Sequence, residues 1–459
     1  MSTVAAGNRS KGYRSYSDTS DTTEPLVLVG LYGYSTVLFC SALDAYNFLS
    51  IPICWLAQIV SLLCALWVFL NAGLPVIPGF KWALALLGWG ALITLLKSVL
   101  GDYEQRMPPM ATTAYSTFVG LRFVHLCAFV GQVYLCSWLL VKGKIQRVIK
   151  HTIVVGAMAA AFALYVYLAH RFGLPEPPRT RMGTSGGTQV VTFTFAFHRA
   201  LGSFREPGAM ASWMTVPFFL SFFLQRRLMT TCSVLTGTAL LLSGSLSALG
   251  GSVLGMGASL ILVKPFEARR LLKWVQLAIV LGVALFVFGC IAIANDDGTT
   301  NLFQVMLDRI RPLYEEGIAG TNRGYIQEFY QSVPATLTGC GLGNANILLS
   351  EYFRQPLMGS FLSFYRNVLY STGWIGLLLL LAFLVTPLLH LWRIRTNPKH
   401  RFDLFVLGAA YTAWLFMFAF RSEEPPITFA IAYAFLAYAV SPARYSKVRS
   451  AEKVVDVPR

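Results

Sequence analysis

What most constrains this chain is a succession of apolar runs, each long enough to cross the roughly 30 Å hydrocarbon core of a bilayer. They fall near 25–43, 48–70, 82–100, 117–141, 149–170, 209–224, 228–244, 246–263, 271–294, 367–392, 402–420 and 427–441. Backbone that meets no water must close its own hydrogen bonds, and runs of this length do so as helices. The stretch 228–263 is too long for one crossing, and Ser243-Gly244-Ser245-Leu246-Ser247 marks a tight turn within it. Composition agrees. Of 459 residues, 55% are hydrophobic and only 13% charged, where soluble domains carry about a quarter charged.

The net charge of +16 does not indicate nucleic acid, because the basic residues form short clusters between apolar runs. With the N-terminus inside, the inner connections hold Lys142, Lys144, Arg147 and Lys150, then Arg226 and Arg227, then Lys264, Arg269, Arg270 and Lys273, then Arg393, Arg395, Lys399 and Arg401. The tail adds Arg444, Lys447 and Arg449. The 71–81 connection is weaker, with Lys81 alone. An error of one helix would invert half of these clusters.

The expected fold class is therefore an all-α polytopic membrane protein of about twelve transmembrane helices, both termini inside, with two ordered outer loop regions. Its divisions are a disordered inner tail at 1–24 and helices one to five over 25–170. A first outer segment at 171–208 and helices six to nine over 209–294 follow. A large outer loop at 295–366, helices ten to twelve over 367–441 and a tail at 442–459 complete the chain. Residues 1–24 are polar and lack the apolar core of a signal peptide. Seven of the eight cysteines lie in apolar runs as small hydrophobes; Cys340 stands in a polar loop, and the spacings suggest no disulfide framework or metal site.

Loops as long as the two outer ones are commonly functional. Thr192-Phe193-Thr194-Phe195-Ala196-Phe197 alternates as a strand or an interfacial segment would, and helices are expected near 301–316 and 322–333. Within the spans, Arg122 and His125 lie one turn apart; they either bond to neighbouring helices or contribute to a polar cavity. No proton-relay chain is visible. His198-Arg199-Ala200-Leu201-Gly202-Ser203-Phe204-Arg205-Glu206-Pro207-Gly208 runs into a helix start, where backbone N–H groups beside two arginines suit an anion. The large loop is net acidic and carries Thr321-Asn322-Arg323-Gly324-Tyr325 and Thr338-Gly339-Cys340-Gly341-Leu342-Gly343-Asn344. The glycine run follows no strand of a βαβ unit, so it reads as a tight turn with close backbone approach rather than a dinucleotide site.

In order and placement these pieces resemble the O-antigen ligase and Wzy-type polysaccharide polymerase superfamily of bacterial inner membranes. The matching blocks are Arg199-x-x-Gly202-x-Phe204-x-x-Pro207, then Arg323, Pro334 and Gly339-x-Gly341-x-Gly343, then Arg366-Asn367-x-Leu369-Tyr370-x-x-Gly373-Trp374-Ile375-Gly376-Leu377. They cover about 190–390. The family commonly has His-Asn where this chain has Arg366-Asn367, and its ligases use that His catalytically. It also often has Ser-Arg where this chain has Ser245-Leu246. Both departures favour the polymerase branch.

The resemblance implies a metal-independent glycosyltransferase without cofactor, its active site facing the periplasm. The donor would be an oligosaccharide on a polyprenyl pyrophosphate. The acceptor would be another lipid-linked repeat unit, or a lipid A core or protein in a ligase. The bilayer is a partner, with a flippase and a chain-length regulator as company. Arg199 and Arg323 are the candidate catalytic cations, with Glu206 and Glu328 as candidate bases. Arg205, Arg366, His198, Asn367 and the ring-stacking Tyr325 and Tyr365 are candidate substrate-binding residues. A transporter of the same lipid-linked sugars is the alternative of another class, though pseudo-symmetric halves and intramembrane charge chains are missing.

Overall fold

A computed structural model describes residues 24–49, 51–75, 77–108, 113–181, 199–224, 226–263, 324–354, 360–394, 401–421 and 426–441. Those residues form thirteen helices and one two-stranded ribbon. In chain order they are α1 (Pro25–Ser41), β1 (Asn47–Phe48), β2 (Ile51–Pro52), α2 (Ile53–Ala72), α3 (Phe80–Leu100), α4 (Tyr115–Val141), α5 (Ile145–Phe172), α6 (Pro207–Ser221), α7 (Arg226–Leu242), α8 (Leu246–Val263), α9 (Tyr325–Ser332), α10 (Asn344–Phe353), α11 (Phe364–Ile394), α12 (Arg401–Met417) and α13 (Ile427–Ala439).

Eleven of the twelve apolar runs coincide with helices; the run 271–294 lies outside the described residues. Six helices (α2, α3, α4, α5, α8 and α11) are long and apolar enough to cross a membrane, and α1, α7, α12 and α13 contribute shorter apolar helices. The chain is an all-α membrane protein. Thr192–Phe197 and the expected helix at 301–316 fall outside the described residues, whereas α9 occupies the helix expected near 322–333.

The outward surface is apolar, as lipid contact requires. Leu63, Leu66, Trp67 and Leu70 on α2, Leu92, Leu95 and Leu96 on α3, and Leu378, Leu381, Val385 and Leu389 on α11 are all exposed. Inside, α13 is buried along nearly its whole length. Around it Phe383, Tyr411, Trp414, Phe429 and Tyr433 form a connected aromatic core. Its phenols donate to carbonyls of neighbouring elements, Tyr433 to Pro78 O at 2.7 Å and Tyr411 to Leu384 O at 2.7 Å. Between α8 and α12 small residues allow the backbones to approach, the means by which helices associate in lipid. A Cβ on Gly255 would lie 2.6 Å from Ala413 N, and the Thr412 hydroxyl donates to Gly255 O at 2.9 Å.

The expected turn between α7 and α8 is present: Gly244 adopts φ +55, and the Ser243 hydroxyl donates back to Leu240 O. This turn belongs to one end of the bundle. There too lie the α1–α2 connection, the lead-in to α6, α9, α10 and the end of α12, joined by Ala45 N→Ser203 O (3.0 Å), Ala200 N→Leu242 O (3.0 Å) and Phe364 N→Phe418 O (2.8 Å).

Candidate functional site

The glycine run of the large loop is built into the membrane body. Gly339, Gly341 and Gly343 all have positive φ, at +79, +96 and +82, a region open to glycine at little cost. The loop lies along the first half of α11, with Cys340 N→Tyr370 O at 2.9 Å and Gly341 N→Ser371 O at 2.8 Å. Alpha-helical bonding in α11 is broken at Gly373, with φ 72 and ψ −173. There the two chains nearly touch: a Cβ on Gly373 would stand 2.2 Å from Leu337 O, and one on Gly339 would stand 2.4 Å from Gly373 N.

Groups released by the break find other partners, as a low-dielectric surrounding demands. Trp89 Nε1 of α3 donates to Thr372 O at 2.8 Å. Trp374 N and Ile375 N reach Thr336 O and Leu337 O, each at 3.3 Å. Leu342 N donates to Thr94 Oγ1 at 2.9 Å, and the Tyr115 hydroxyl donates to Asn344 Oδ1 at 2.9 Å. The blocks at 339–343 and 366–377 are thus one structural unit, clasped by α3 and α4.

Beside this unit lies a cavity of about 60 Å³, lined by residues of α3, α4, α10 and α11 with Leu342 and Gly343. Its polar lining is Arg122 and His125 from α4, Asn346 from the first turn of α10, and Asn367, Ser371 and Thr372 from α11. His125 is 7% exposed and Asn346 2%. Trp55 meets the His125 ring edge-on at 5.2 Å, Phe118 lies under the Arg122 guanidinium at 5.3 Å, and the Ser371 hydroxyl donates to Asn367 Oδ1 at 3.2 Å. Arg122 and His125 border this cavity, and His125 also packs against the neighbouring helix α2 through Trp55.

The lead-in to α6 is built differently. Arg199 is 7% exposed, and its Nε donates to Ser243 O at the α7–α8 turn. Gly202, at φ +55, presses on α5, where a Cβ would be 2.8 Å from Ala163 Cα. The Ser203 hydroxyl donates to Ala42 O. Arg205 Nε lies 3.9 Å from Asp44 Oδ2, and Arg181 makes a closer ion pair with the same carboxylate. Arg179 donates to Gly202 O at 3.2 Å; burial pushes its pKa down, opposed by Glu176. Glu206 is exposed at the N-cap of α6 and makes no capping bond with its side chain. Arg421, beyond α12, donates to Gly208 O at 3.3 Å.

The candidate residues therefore divide. Arg199, Arg205 and Glu206 gather at the α6 lead-in. Tyr325, Glu328, Arg366 and Asn367 belong to the layer of α9, α10 and the start of α11. There Glu328 accepts a bond from the Tyr352 hydroxyl at 3.3 Å, and Arg366 stacks 4.7 Å over the Tyr330 ring. Burial raises the Tyr330 phenol pKa, with Arg366 opposing. Tyr325 is 45% exposed and meets Phe353 edge-on at 5.4 Å. Tyr365 sits deeper: its hydroxyl donates to Leu415 O at 2.9 Å, which gives it a packing role in this structure. His198 and Arg323 lie outside the described residues.

Sequence reasoning missed α10, the break in α11, and the pair Arg106–Glu351 at 2.6 Å. It also passed over Asn346 and the structural cations Arg179, Arg181 and Arg421. A signal existed for the break alone, in Gly373 within an apolar run. Among the described residues no three His, Cys, Asp or Glu side chains converge as a metal site. The chain matches no family model, and no curated protein matches its sequence.

Proposed function

We propose that the protein is a polymerase of a bacterial surface polysaccharide, acting at the periplasmic face of the inner membrane on polyprenyl-pyrophosphate-linked repeat units. One observation carries this reading. Two separate blocks of the family resemblance, the glycine run and the Arg366–Leu377 segment, pack as one unit and border a cavity with arginine, histidine and asparagine in its wall. Such a lining, set beside apolar residues such as Leu86, Leu126 and Phe129, suits a lipid that carries a charged head.

In the reaction, the hydroxyl oxygen of the acceptor sugar attacks the anomeric carbon of the donor. The anomeric C–O bond to the diphosphate breaks, and its electron pair leaves on the diphosphate. Guanidinium groups stabilise the charge that grows there, with Arg323 and Arg199 the candidates from sequence. A base within reach takes the hydroxyl proton; Glu328 and Glu206 are exposed carboxylates suited to this. Arg366 stands where ligases of the family carry histidine, and a guanidinium does not accept a proton near neutral pH. This favours a second lipid-linked unit over lipid A core or protein as acceptor. Transport of the same lipids finds no specific support in the geometry.

Purified protein in nanodiscs, given a polyprenyl-pyrophosphate oligosaccharide, should build a ladder of longer glycans in the presence of chelator. Arg323→Ala should abolish the ladder while the protein remains monodisperse. Absence of extension by the intact protein, or equal extension by the variant, would overturn the reading.

A further inference from the structure

The wall of the cavity between α3, α4, α10 and α11 joins residues far apart in sequence. Arg122 and His125 come from one turn of α4, Asn346 from the first turn of α10, and Asn367 from the start of α11. A guanidinium inside a membrane span is costly and persists where it serves a function. The first turn of α10 brings the positive end of a helix dipole to the same place. Much of the rest of the wall is apolar, with Leu86, Leu126, Phe129 and Leu342, so the polar groups form a small cluster suited to an anionic head on an apolar carrier.

We propose that this cavity is an oxyanion site, distinct from the arginines of the α6 lead-in, with Arg122 as its principal cation and His125, Asn346 and Asn367 as its hydrogen-bonding wall. Arg122 presents a planar fork to a pair of oxygens. The asparagine amides donate to the remaining oxygens. His125, buried against Trp55, closes the inner side. The site stands on this geometry. Its connection to lipid-linked sugars rests on the function proposed above, and two sources supply the chemistry: the diphosphate of the donor lipid, or the carboxylate of an acidic sugar.

The test uses full-length protein in nanodiscs of uncharged lipid, titrated by calorimetry with inorganic pyrophosphate in one arm and glucuronate in the other. Saturable binding is expected in at least one arm, and the tighter arm assigns the source. Arg122→Gln should weaken it by about tenfold or more, the loss of a charge-assisted pair. Asn367→Asp, which sets a carboxylate in the wall, should do the same. Arg122→Lys should fall between, because the charge remains and the fork does not. Chromatographic profile and Tm verify that each variant is folded, and any one folded variant suffices to decide. No saturable binding in either arm, or binding by a folded Arg122→Gln or Asn367→Asp variant equal to that of the intact protein, would overturn the site. The two readings fail separately. Glycan extension that persists in Arg122→Gln would remove the cavity from catalysis, whereas Arg122-dependent binding in a protein that extends no glycan would leave the site and remove the polymerase.

Discussion

The α6 lead-in and the glycine loop at the break in α11 lie at the same end of the bundle, and they are held by a different balance of contacts. The lead-in adds side-chain bonds to its main-chain bonds at Ala200 and Ser203: Arg199 on Ser243 O, Ser203 on Ala42 O, and Arg179 on Gly202 O. The glycine loop is fixed mainly by main chain, through closeness that only missing side chains permit. In the first region guanidiniums of Arg199, Arg179 and Arg421 hold main-chain carbonyls. In the second the backbone satisfies itself, and side chains such as Asn346 and Asn367 line a cavity.

The contrast can be broken. Gly373→Ala adds a Cβ 2.2 Å from Leu337 O, at a backbone angle that costs an L-residue about 1–3 kcal/mol before any clash. It should prevent recovery of monodisperse protein. Gly257→Ala, which meets nothing within 4 Å on α8, should leave Tm unchanged or raise it; equal behaviour of the two would refute the close approach. Next in size, Arg199→Ala leaves the buried Ser243 carbonyl without this donor and should cost about 1–3 kcal/mol, read as a lower Tm in the unliganded protein. Arg199→Lys should not restore it, since an ammonium cannot copy the fork. A Tm equal to that of the intact protein, with activity lost, would assign Arg199 to the substrate rather than to the turn.

Smaller still, Trp89→Phe removes the donor to Thr372 O at about 1 kcal/mol, and should raise amide exchange near residues 372–375. The smallest effect concerns pH. Burial holds the Tyr330 phenol above its ordinary range. The unfolded chain then releases that proton first, so stability is unaffected below about pH 10 and falls as pH climbs past it. Tyr330→Phe should flatten that alkaline slope; an unchanged slope would mean that the phenol does not drive it.

Much of the membrane body was legible in the sequence because its cause is local. Apolar run length dictates the helices, and Ser243-Gly244-Ser245 announces the turn between α7 and α8. The glycine run was legible as a close approach, but its partner was not: Gly373 lies some thirty residues away, inside a run whose hydropathy gives no sign of a break. The burial of Arg199 was hidden for a related reason. An arginine near a helix start looks the same in sequence whether it faces a ligand or a carbonyl of another turn. The cavity needed Arg122, Asn346 and Asn367 brought together from three segments, and no local pattern encodes that meeting.

The break in α11 also has a direction in time. Every group that completes it (Trp89, Thr336, Leu337, Cys340 and Gly341) precedes Gly373 in the chain. As the ribosome delivers the interrupted helix, its partners have already been made, so the short segment 364–372 can settle onto a waiting brace before the longer 374–394 follows. A circular permutant that moved residues 324–343 behind α13 would reverse that order and thread the gap into lipid with its carbonyls and amides bare.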